Sequence, residues 1–227
     1  MTHINTLKRI RQHKTNYRKR SAILIGRRPF ITTKISSQNI SAQTLQPSLT
    51  GDVVIASAHS RELIQHGWKG SMNNMPACYL TGLLLGKKSV EKGSANAVLY
   101  TGNDAFTTRV AACLKGLVDS GINIPVSKES LPDKDRVSGK HIAEYANLLK
   151  DNQEKYNSRF SALIKQGLRP EDYPKHFEEI RIRILDKSPL ESKRLNEASN
   201  SVKKLNKEEF HNSVMSRLKA SPKGDNE

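Results

Sequence analysis

The residues best suited to chemistry in this chain are cations that cluster at its amino terminus. Residues 1–51 contain ten Lys or Arg and no Asp or Glu, and nine of the ten lie within residues 1–28. These side chains have no local acid to neutralise them, so they need an anionic partner. Phosphate backbones suit them, because each contact with a phosphate releases condensed counterions. We therefore expect a nucleic acid as the partner.

Two other partners could explain a basic segment of this kind. Organelle-import leaders are also basic and poor in acids, but this segment runs into a strand-like pattern rather than a cleavage-like one. An anionic membrane surface would require bulky apolar side chains between the cations, and residues 8–20 have few of them. A nucleic acid fits better than either alternative, and no membrane partner is expected.

Patterns that suggest catalysis fail on spacing or on context. The sequence GLLLGKKS at 82–89 has three residues between its glycines where a phosphate-binding loop has four, and it ends a helix instead of following a strand. The glycines Gly82 and Gly86 instead predict a close approach of this helix to the sheet. His59-Ser60-Arg61 permits a hydrolase interpretation, but no second base or carboxylate can be placed with it, and these side chains suit phosphate contact equally well.

The cysteines and histidines predict no metal site. Cys78 and Cys113 each lie in an apolar helical pattern, without a Cys or His at metal-ligand spacing, so buried thiols are expected. The seven histidines form no His-x-x-x-His pair. We expect no enzyme activity, no cofactor, no metal and no small-molecule substrate.

Length and composition predict one main domain with additional segments at both ends. A chain of 227 residues with 36% hydrophobic content can bury one modest core. The longest apolar runs, residues 77–85 and 95–100, fall short of the roughly 20 residues that span a bilayer. No signal-peptide pattern opens the chain. A soluble, cytoplasmic protein is expected.

The elements that would position the cations begin with a helix over residues 8–26. Lys8, Arg11, Lys14 and Arg18 recur at helical spacing, which predicts one row of cations along this helix. The alternative is a solvated charged face, but acids that could form intrahelical pairs are missing. The row is therefore expected to lie on phosphates.

The following residues predict a small α/β core in the order β-β-β-α-β-α. Alternating residues at 30–35 and 40–45 and a short, buried-looking strand at 53–58, separated by turns at 36–39 and 50–52, indicate a three-stranded meander. Asn73 and Asn74 precede a helix that ends near Gly93. Residues 95–100 predict a fourth strand, and a second helix ends at Gly121.

The remainder of the chain predicts a helical extension and a polar tail. Helical patterns occupy residues 141–152, 156–166 and 173–185, with a break at Gly167 and Pro170. Residues 187–227 have little apolar periodicity and predict a tail without a stable fold. The predicted divisions are a basic arm at 1–28, an α/β core at 29–125, an extension at 126–186 and the tail at 187–227.

Several segments in one order along residues 8–186 carry a resemblance to a known family. They are KTNYRKR, RRPFITTKISSQNISAQ, ASAHSRELIQHGWKG with NNMPACYLTGLLLGKK, RVAACLKGLVDSGINIP, LPDKDRVSGKHIAEYA and FSALIKQGLRPEDYPKHFEEIRIRIL. Together they resemble the large-subunit ribosomal proteins that bind 5S ribosomal RNA, family eighteen in the universal naming. The last segment is similar to the archaeal branch of the family.

This resemblance implies a non-enzymatic protein of the large ribosomal subunit. It implies that the protein binds 5S rRNA and helps to attach it to 23S rRNA at the central protuberance, beside neighbouring ribosomal proteins. An RNA-modifying enzyme and a general RNA chaperone with the same core remain the alternatives. An enzyme would show turnover, whereas a chaperone would also bind duplex DNA.

The resemblance also implies which residues contact RNA. They belong to the arm, one face and edge of the sheet, and the loop before the first long helix. The expected contacts are Lys8, Arg9, Arg11, Lys14, Tyr17, Arg18, Lys19, Arg20, Arg27, Arg28, Lys34, Ser37, Gln38, Asn39, Gln43, His59, Ser60, Arg61, Lys69, Asn73 and Asn74. Trp68 is equally compatible with RNA contact and with core packing. The tail pairs Lys193-Arg194 and Lys203-Lys204 are candidates for one more contact with ribosomal RNA or a neighbouring protein.

Overall fold

A four-stranded mixed sheet organises the described part of this computed structural model, residues 7–48 and 51–186. The strands are β1 (Phe30–Ile35), β2 (Ile40–Gln46), β3 (Val53–His59) and β4 (Val98–Leu99), in the order β3-β2-β1-β4. The first three form the predicted antiparallel meander, and β4 runs parallel to β1. The predicted strand at 95–100 is therefore confirmed in position, but it is only two residues long.

Two long helices cover one face of the sheet, as the sequence predicted. They are α3 (Met75–Glu91) and α4 (Thr108–Asp119). Asn74 caps α3 by accepting a hydrogen bond from the Ala77 N–H at 3.0 Å. Thr107 caps α4 through the Val110 N–H. Each cap satisfies a backbone donor that has no partner within the helix, which fixes where the helix begins.

The face of the sheet beneath these helices is lined by small and branched apolar side chains. Ile31 and Ile40 are fully buried, and Ala42, Ala56 and Ala58 are at most 2% exposed. The pattern alternates along each strand because successive side chains point to opposite faces. The opposite face is therefore left for polar residues.

The glycines of α3 bring the two helices together, and the prediction that they approach the sheet is wrong. A Cβ on Gly82 would overlap the carbonyl oxygen of Cys113, and a Cβ on Gly86 would overlap the side chain of Ser120. From the other helix, a Cβ on Gly116 would overlap the carbonyl oxygen of Tyr79. Backbone therefore meets backbone between α3 and α4, because there is no side chain to keep them apart.

The prediction of a single arm helix is also wrong. The arm forms a short helix α1 (Lys8–Arg11) and a second helix α2 (Tyr17–Gly26). His13 between them has a positive φ of 51°. The Asn16 side chain caps α2 by accepting from the Lys19 N–H at 3.1 Å, which starts a new helix at this point. The four cations thus do not share one helical row.

The extension after the core is helical, as predicted, and it begins with one short α-helix that the sequence did not predict, α5 (Lys134–Ser138). It continues with α6 (Lys140–Leu148), α7 (Gln153–Lys165) and α8 (Tyr173–Asp186). Gly139 has a φ of 81°, a conformation that separates α5 from α6. The predicted break at Gly167 and Pro170 is confirmed, with a short 3-10 helix at Pro170–Asp172. The predicted tail, with its Lys193-Arg194 and Lys203-Lys204 pairs, lies outside the described residues.

Trp68 belongs to the hydrophobic core. It is 3% exposed, and its ring meets Tyr173 edge-on at 5.6 Å and stacks on His176 at 5.3 Å. Tyr173 and His176 both lie on α8, so this aromatic cluster joins the extension to the loop before α3. Core packing therefore accounts for Trp68.

Both cysteines are buried, as predicted. Burial raises the pKa of Cys78 to about 12 and also raises the pKa of Cys113. Both thiols therefore remain protonated at neutral pH, and a thiol is a far weaker nucleophile than a thiolate. No helix in the described residues is long and apolar enough to cross a membrane.

Lys88 of α3 and Lys92, the residue after α3, cover the outer edge of β3, which is an edge strand of the sheet. The Lys88 ammonium donates to the carbonyl of Ser57 at 3.1 Å and pairs with Glu62, and the Lys92 ammonium donates to the carbonyl of Ile55. Carbonyl groups on an edge strand otherwise remain available to another strand. Two lysine side chains of the same chain thus occupy these carbonyl groups of the edge strand.

We predict that acid lowers the stability of the junction between α8 and the core. Burial lowers the pKa of His176 from its ordinary value of 6.5, and its neutral Nε2 accepts from the Lys69 N–H at 3.1 Å. The unfolded chain therefore takes up a proton before the folded chain does, and stability is lost as the pH falls below 6.5 through the folded pKa.

This effect is measured from the free energy of unfolding across the acid range, in wild type and in His176→Gln. The glutamine keeps an acceptor for the Lys69 N–H but does not titrate. The free energy of unfolding of the variant should therefore fall less with acid than that of the wild type. Burial also lowers the pKa of His141, so a residual decline is expected in the variant. Identical declines in the two proteins would contradict the role of His176.

Candidate nucleic-acid interface

The face of the sheet opposite α3 and α4 presents polar side chains in rows across the strands. The register pairs Lys34 with Ser41 and Ser41 with His59, so these three side chains share one row. In the next row, Gln43 lies between Thr32 and Ser57 by the same pairing. The predicted contacts Lys34, Gln43 and His59 thus lie on one face, as side-chain alternation requires.

The arm packs over the other end of this face. The Arg20 guanidinium lies over the Phe30 ring, 5.5 Å from its centroid, and pairs with Asp52. The Gln46 side chain donates to the carbonyl of Arg27 at 3.1 Å. Lys19 donates to the carbonyl of Gly102 at 3.2 Å. These contacts hold α2 against the sheet and leave the row of Lys34 uncovered by the helix.

A cleft of about 580 Å³ separates the arm from the sheet and the loop after β4. Its cations are Arg9, Lys14, Arg20 and Lys34, and Tyr17 also lines it. The structure therefore brings predicted arm residues and a predicted sheet residue to one cleft. Lys34 also lines the neighbouring crevice that contains Asn39 and His59, so the two hollows form one continuous surface.

The turn between β1 and β2 is tied to the loop before α3. The Asn73 side chain donates to the carbonyl of Ser37 at 2.7 Å, and its oxygen accepts from the Arg109 guanidinium at 2.8 Å. Arg109 was not among the predicted contacts. A cation in the first turn of a helix is opposed by the helix dipole, and this unfavourable placement was the signal that could have identified it.

Some predicted residues have structural contacts that remove them from this surface. Ser60 is fully buried, and its hydroxyl accepts from the Ile40 N–H at 3.1 Å. Both ends of the Asn74 side chain are engaged, with the Ala77 N–H and with the Tyr173 hydroxyl. Lys69 is exposed, but it lies beside His176 and Gly167 of the extension. The surface that we define therefore leaves these three residues out.

His59 has a local structural role as well as a place on the polar face. It precedes a 3-10 helix at Ser60–His66 that the sequence did not predict. Its Nδ1 accepts from the Arg61 N–H at 3.2 Å, and its own N–H donates to Glu62 at 3.0 Å. This reciprocal capping box places the exposed Arg61 just beyond the edge of the polar face.

The remaining predicted residues are exposed, and few arm cations are neutralised. The exposed group outside the cleft consists of Lys8, Arg11, Arg18, Lys19, Arg27, Arg28, Ser37 and Gln38. Within residues 7–48 and 51–186, Arg20 is the one arm cation that forms a salt bridge. The arm therefore presents uncompensated positive charge next to a polar face, as a phosphate-binding surface requires.

Comparison with known proteins identifies the family of the chain. A family model described as ribosomal large subunit proteins 60S L5 and 50S L18 matches residues 3–108. Large ribosomal subunit protein uL18 of the archaeon Thermofilum pendens is 43% identical over 181 residues, which span 78% of this chain and 92% of that protein. The match thus extends through the arm, the sheet and the extension, and confirms the resemblance seen in the sequence. The chain belongs to the uL18 family of large ribosomal subunit proteins.

Proposed function

We propose that this protein is a structural constituent of the large ribosomal subunit that binds 5S rRNA and helps to attach it to 23S rRNA at the central protuberance. The observation that carries the proposal is the continuous surface from Arg9 and Lys14, through Lys34, to Asn39 and His59. Its cations and amides suit a phosphate backbone and unpaired bases. Family membership and the resemblance to 5S-binding proteins support 5S rRNA as the RNA.

The geometry favours recognition of RNA shape over base sequence. Bases in an A-form helix face a deep, narrow groove, so a rigid sheet reads the path of the backbone and the 2′-hydroxyls. Arm cations would supply most of the affinity through phosphates. The polar rows, with Gln43 and His59, would add contacts that depend on the shape of the RNA. Neighbouring proteins of the protuberance would then bind to surfaces that the RNA leaves free.

The proposal is tested by measuring affinity for a 5S rRNA transcript over a series of salt concentrations. We expect tight binding at moderate salt, and much weaker binding of transfer RNA and of duplex DNA of equal length. Equal affinity for the duplex DNA would identify a general nucleic-acid chaperone. Failure to bind the 5S transcript at moderate salt would overturn the proposal.

We predict that Gln43→Ala changes the preference among RNAs without changing the salt dependence. Gln43 is half-buried in the middle of the polar face and is uncharged, so its removal displaces no counterion. The expected result is a roughly threefold to tenfold smaller ratio between 5S rRNA and transfer RNA affinities, the usual loss for one hydrogen bond. A changed salt slope with an unchanged ratio would contradict this role.

A further inference from the structure

A crevice of about 650 Å³ lies at the part of the β1 edge that β4 does not cover. Strand β4 pairs with Phe30 and Ile31, and no strand of the described residues pairs with the edge of β1 beyond Ile31 on this side. Thr33 and Ile35 line the crevice from the sheet, and Ala105 and Thr107 line it from the loop that leads into α4. Its volume falls within the roughly 300–1,000 Å³ range of pockets for small ligands.

The crevice contains a buried hydroxyl that has no partner in the structure. Thr33 is 6% exposed, and within the described residues its Oγ1 is buried without a hydrogen-bond partner. Burying a polar atom without a hydrogen bond costs free energy, so such atoms are usually satisfied by a ligand or by water. The Thr33 hydroxyl is therefore a hydrogen-bonding group in the lining of the crevice that no described residue satisfies.

The charges around the crevice are divided between cations and one acid. Lys34 and Arg109 line it, and Arg109 lies in the first turn of α4, where free backbone N–H groups also favour an anion. One guanidinium nitrogen of Arg109 donates to Asn73, which leaves other N–H donors of the group for a ligand. Asp104 is the acid, and a carboxylate accepts from the amino groups of a base.

An exposed aromatic residue lies in the loop between two residues that line the crevice. Phe106 is 48% exposed, and it stands between Ala105 and Thr107, which both line the crevice. An exposed aromatic ring can stack on an unpaired base. Sequence analysis did not single out Phe106, because one Phe in a loop has no periodic pattern.

We propose that this crevice binds a single unpaired nucleotide of the RNA. Its phosphate would lie against Lys34 and Arg109, and the edge of its base would reach Asp104 and the hydroxyl of Thr33, with Phe106 stacked on the base. An unpaired base is the part of a folded RNA that proteins read most readily, because it can leave the helix. The proposal rests on the proposed function and specifies one contact within it.

The test fills the crevice without changing its charge. Ala105 is exposed, so Ala105→Trp can place a bulky ring in the crevice while the fold is retained, which thermal unfolding checks. Ala162→Trp is the matched control, because Ala162 is also an exposed alanine but lies on α7 of the extension. Thr33→Val and Phe106→Ala are tested in parallel, since valine keeps the shape of threonine and removes only its hydroxyl.

Each protein is mixed with the 5S rRNA transcript, and affinity is measured together with chemical probing of the base edges at single-nucleotide resolution. In the wild-type complex we expect protection of one unpaired nucleotide that Ala105→Trp removes, with affinity reduced roughly tenfold and the salt slope lowered by no more than roughly 0.9, the loss of one phosphate contact. Phe106→Ala and Thr33→Val should reduce the same protection, and Ala162→Trp should match the wild type.

The outcomes separate this inference from the proposed function. If the wild type binds the transcript, and Ala105→Trp and Phe106→Ala leave affinity and every protection unchanged, the crevice is not a nucleotide site, although 5S binding stands. A uniform weakening without the loss of one protection would also overturn the inference. If the wild type does not bind the transcript, the proposed function and this inference both fail.

Discussion

Replacement of Arg11, Lys14 and Arg18 with glutamine is expected to weaken binding to 5S rRNA about 100-fold near physiological salt. All three side chains are exposed, and within the described residues none of them forms a salt bridge. They lie on α1, on the linker and on α2, so their joint contribution does not depend on one helical row. Each lost phosphate contact should lower the slope of log affinity against log salt by roughly 0.7 to 0.9.

The measurement is a salt titration of binding, with a control that removes the same net charge elsewhere. Lys155, Arg159 and Lys165 are exposed on α7, so their triple replacement with glutamine matches the change in charge. We expect this control to retain most of the affinity and of the slope. If both triple variants lose affinity equally, net charge alone drives binding, and the arm has no special role.

Replacement of Gly82 or Gly116 with alanine is expected to lower the free energy of unfolding by about 3 kcal/mol, the upper part of the usual range for overpacking. Each new Cβ would overlap a backbone carbonyl of the facing helix, Cys113 for Gly82 and Tyr79 for Gly116. Backbone atoms cannot rotate away as the end of a side chain can. Helices α3 and α4 would have to separate, which would loosen the core beneath the polar face.

Chemical denaturation measures this loss, and Gly26 supplies the matched control. No atom of the described residues lies within 4 Å of a Cβ built on Gly26, the last residue of α2. Gly26→Ala should therefore leave stability unchanged or raise it by up to about 1 kcal/mol, because alanine favours a helix over glycine. If Gly82→Ala is as stable as Gly26→Ala, the two helices can move apart at little cost in free energy, and the prediction is wrong.

Local patterns predicted most elements of the fold because their causes are local. The β1–β2 hairpin follows from alternation on either side of the turn at 36–39, and α3 begins where Asn74 can cap it. The division of the arm was not predictable from cation spacing. It depends on Asn16 as a cap and on the contact of Asn103 with the His13 carbonyl, and the latter joins residues far apart in sequence.

The element that packs against the glycines of α3 was equally hard to predict from the sequence. The spacing of Gly82 and Gly86 indicates that another element comes close, but only the tertiary structure shows that this element is α4. The polar face was foreseeable from strand alternation, which places Lys34 and Gln43 together. Arg109 and Phe106 were missed, because the position of the segment that contains them depends on where β4 ends and the chain turns into α4.

The two lysine contacts on β3 have a consequence for the protein before it meets its RNA. A newly made ribosomal protein spends time in the cell without its ribosome. During that interval an unpaired strand margin could pair with the same strand of another copy and start amyloid-like self-association. Lys88 and Lys92 occupy outward carbonyls of that margin with charge. Neutralising both should therefore leave the assembled subunit unaffected while shortening the time for which the free polypeptide stays monomeric at high concentration.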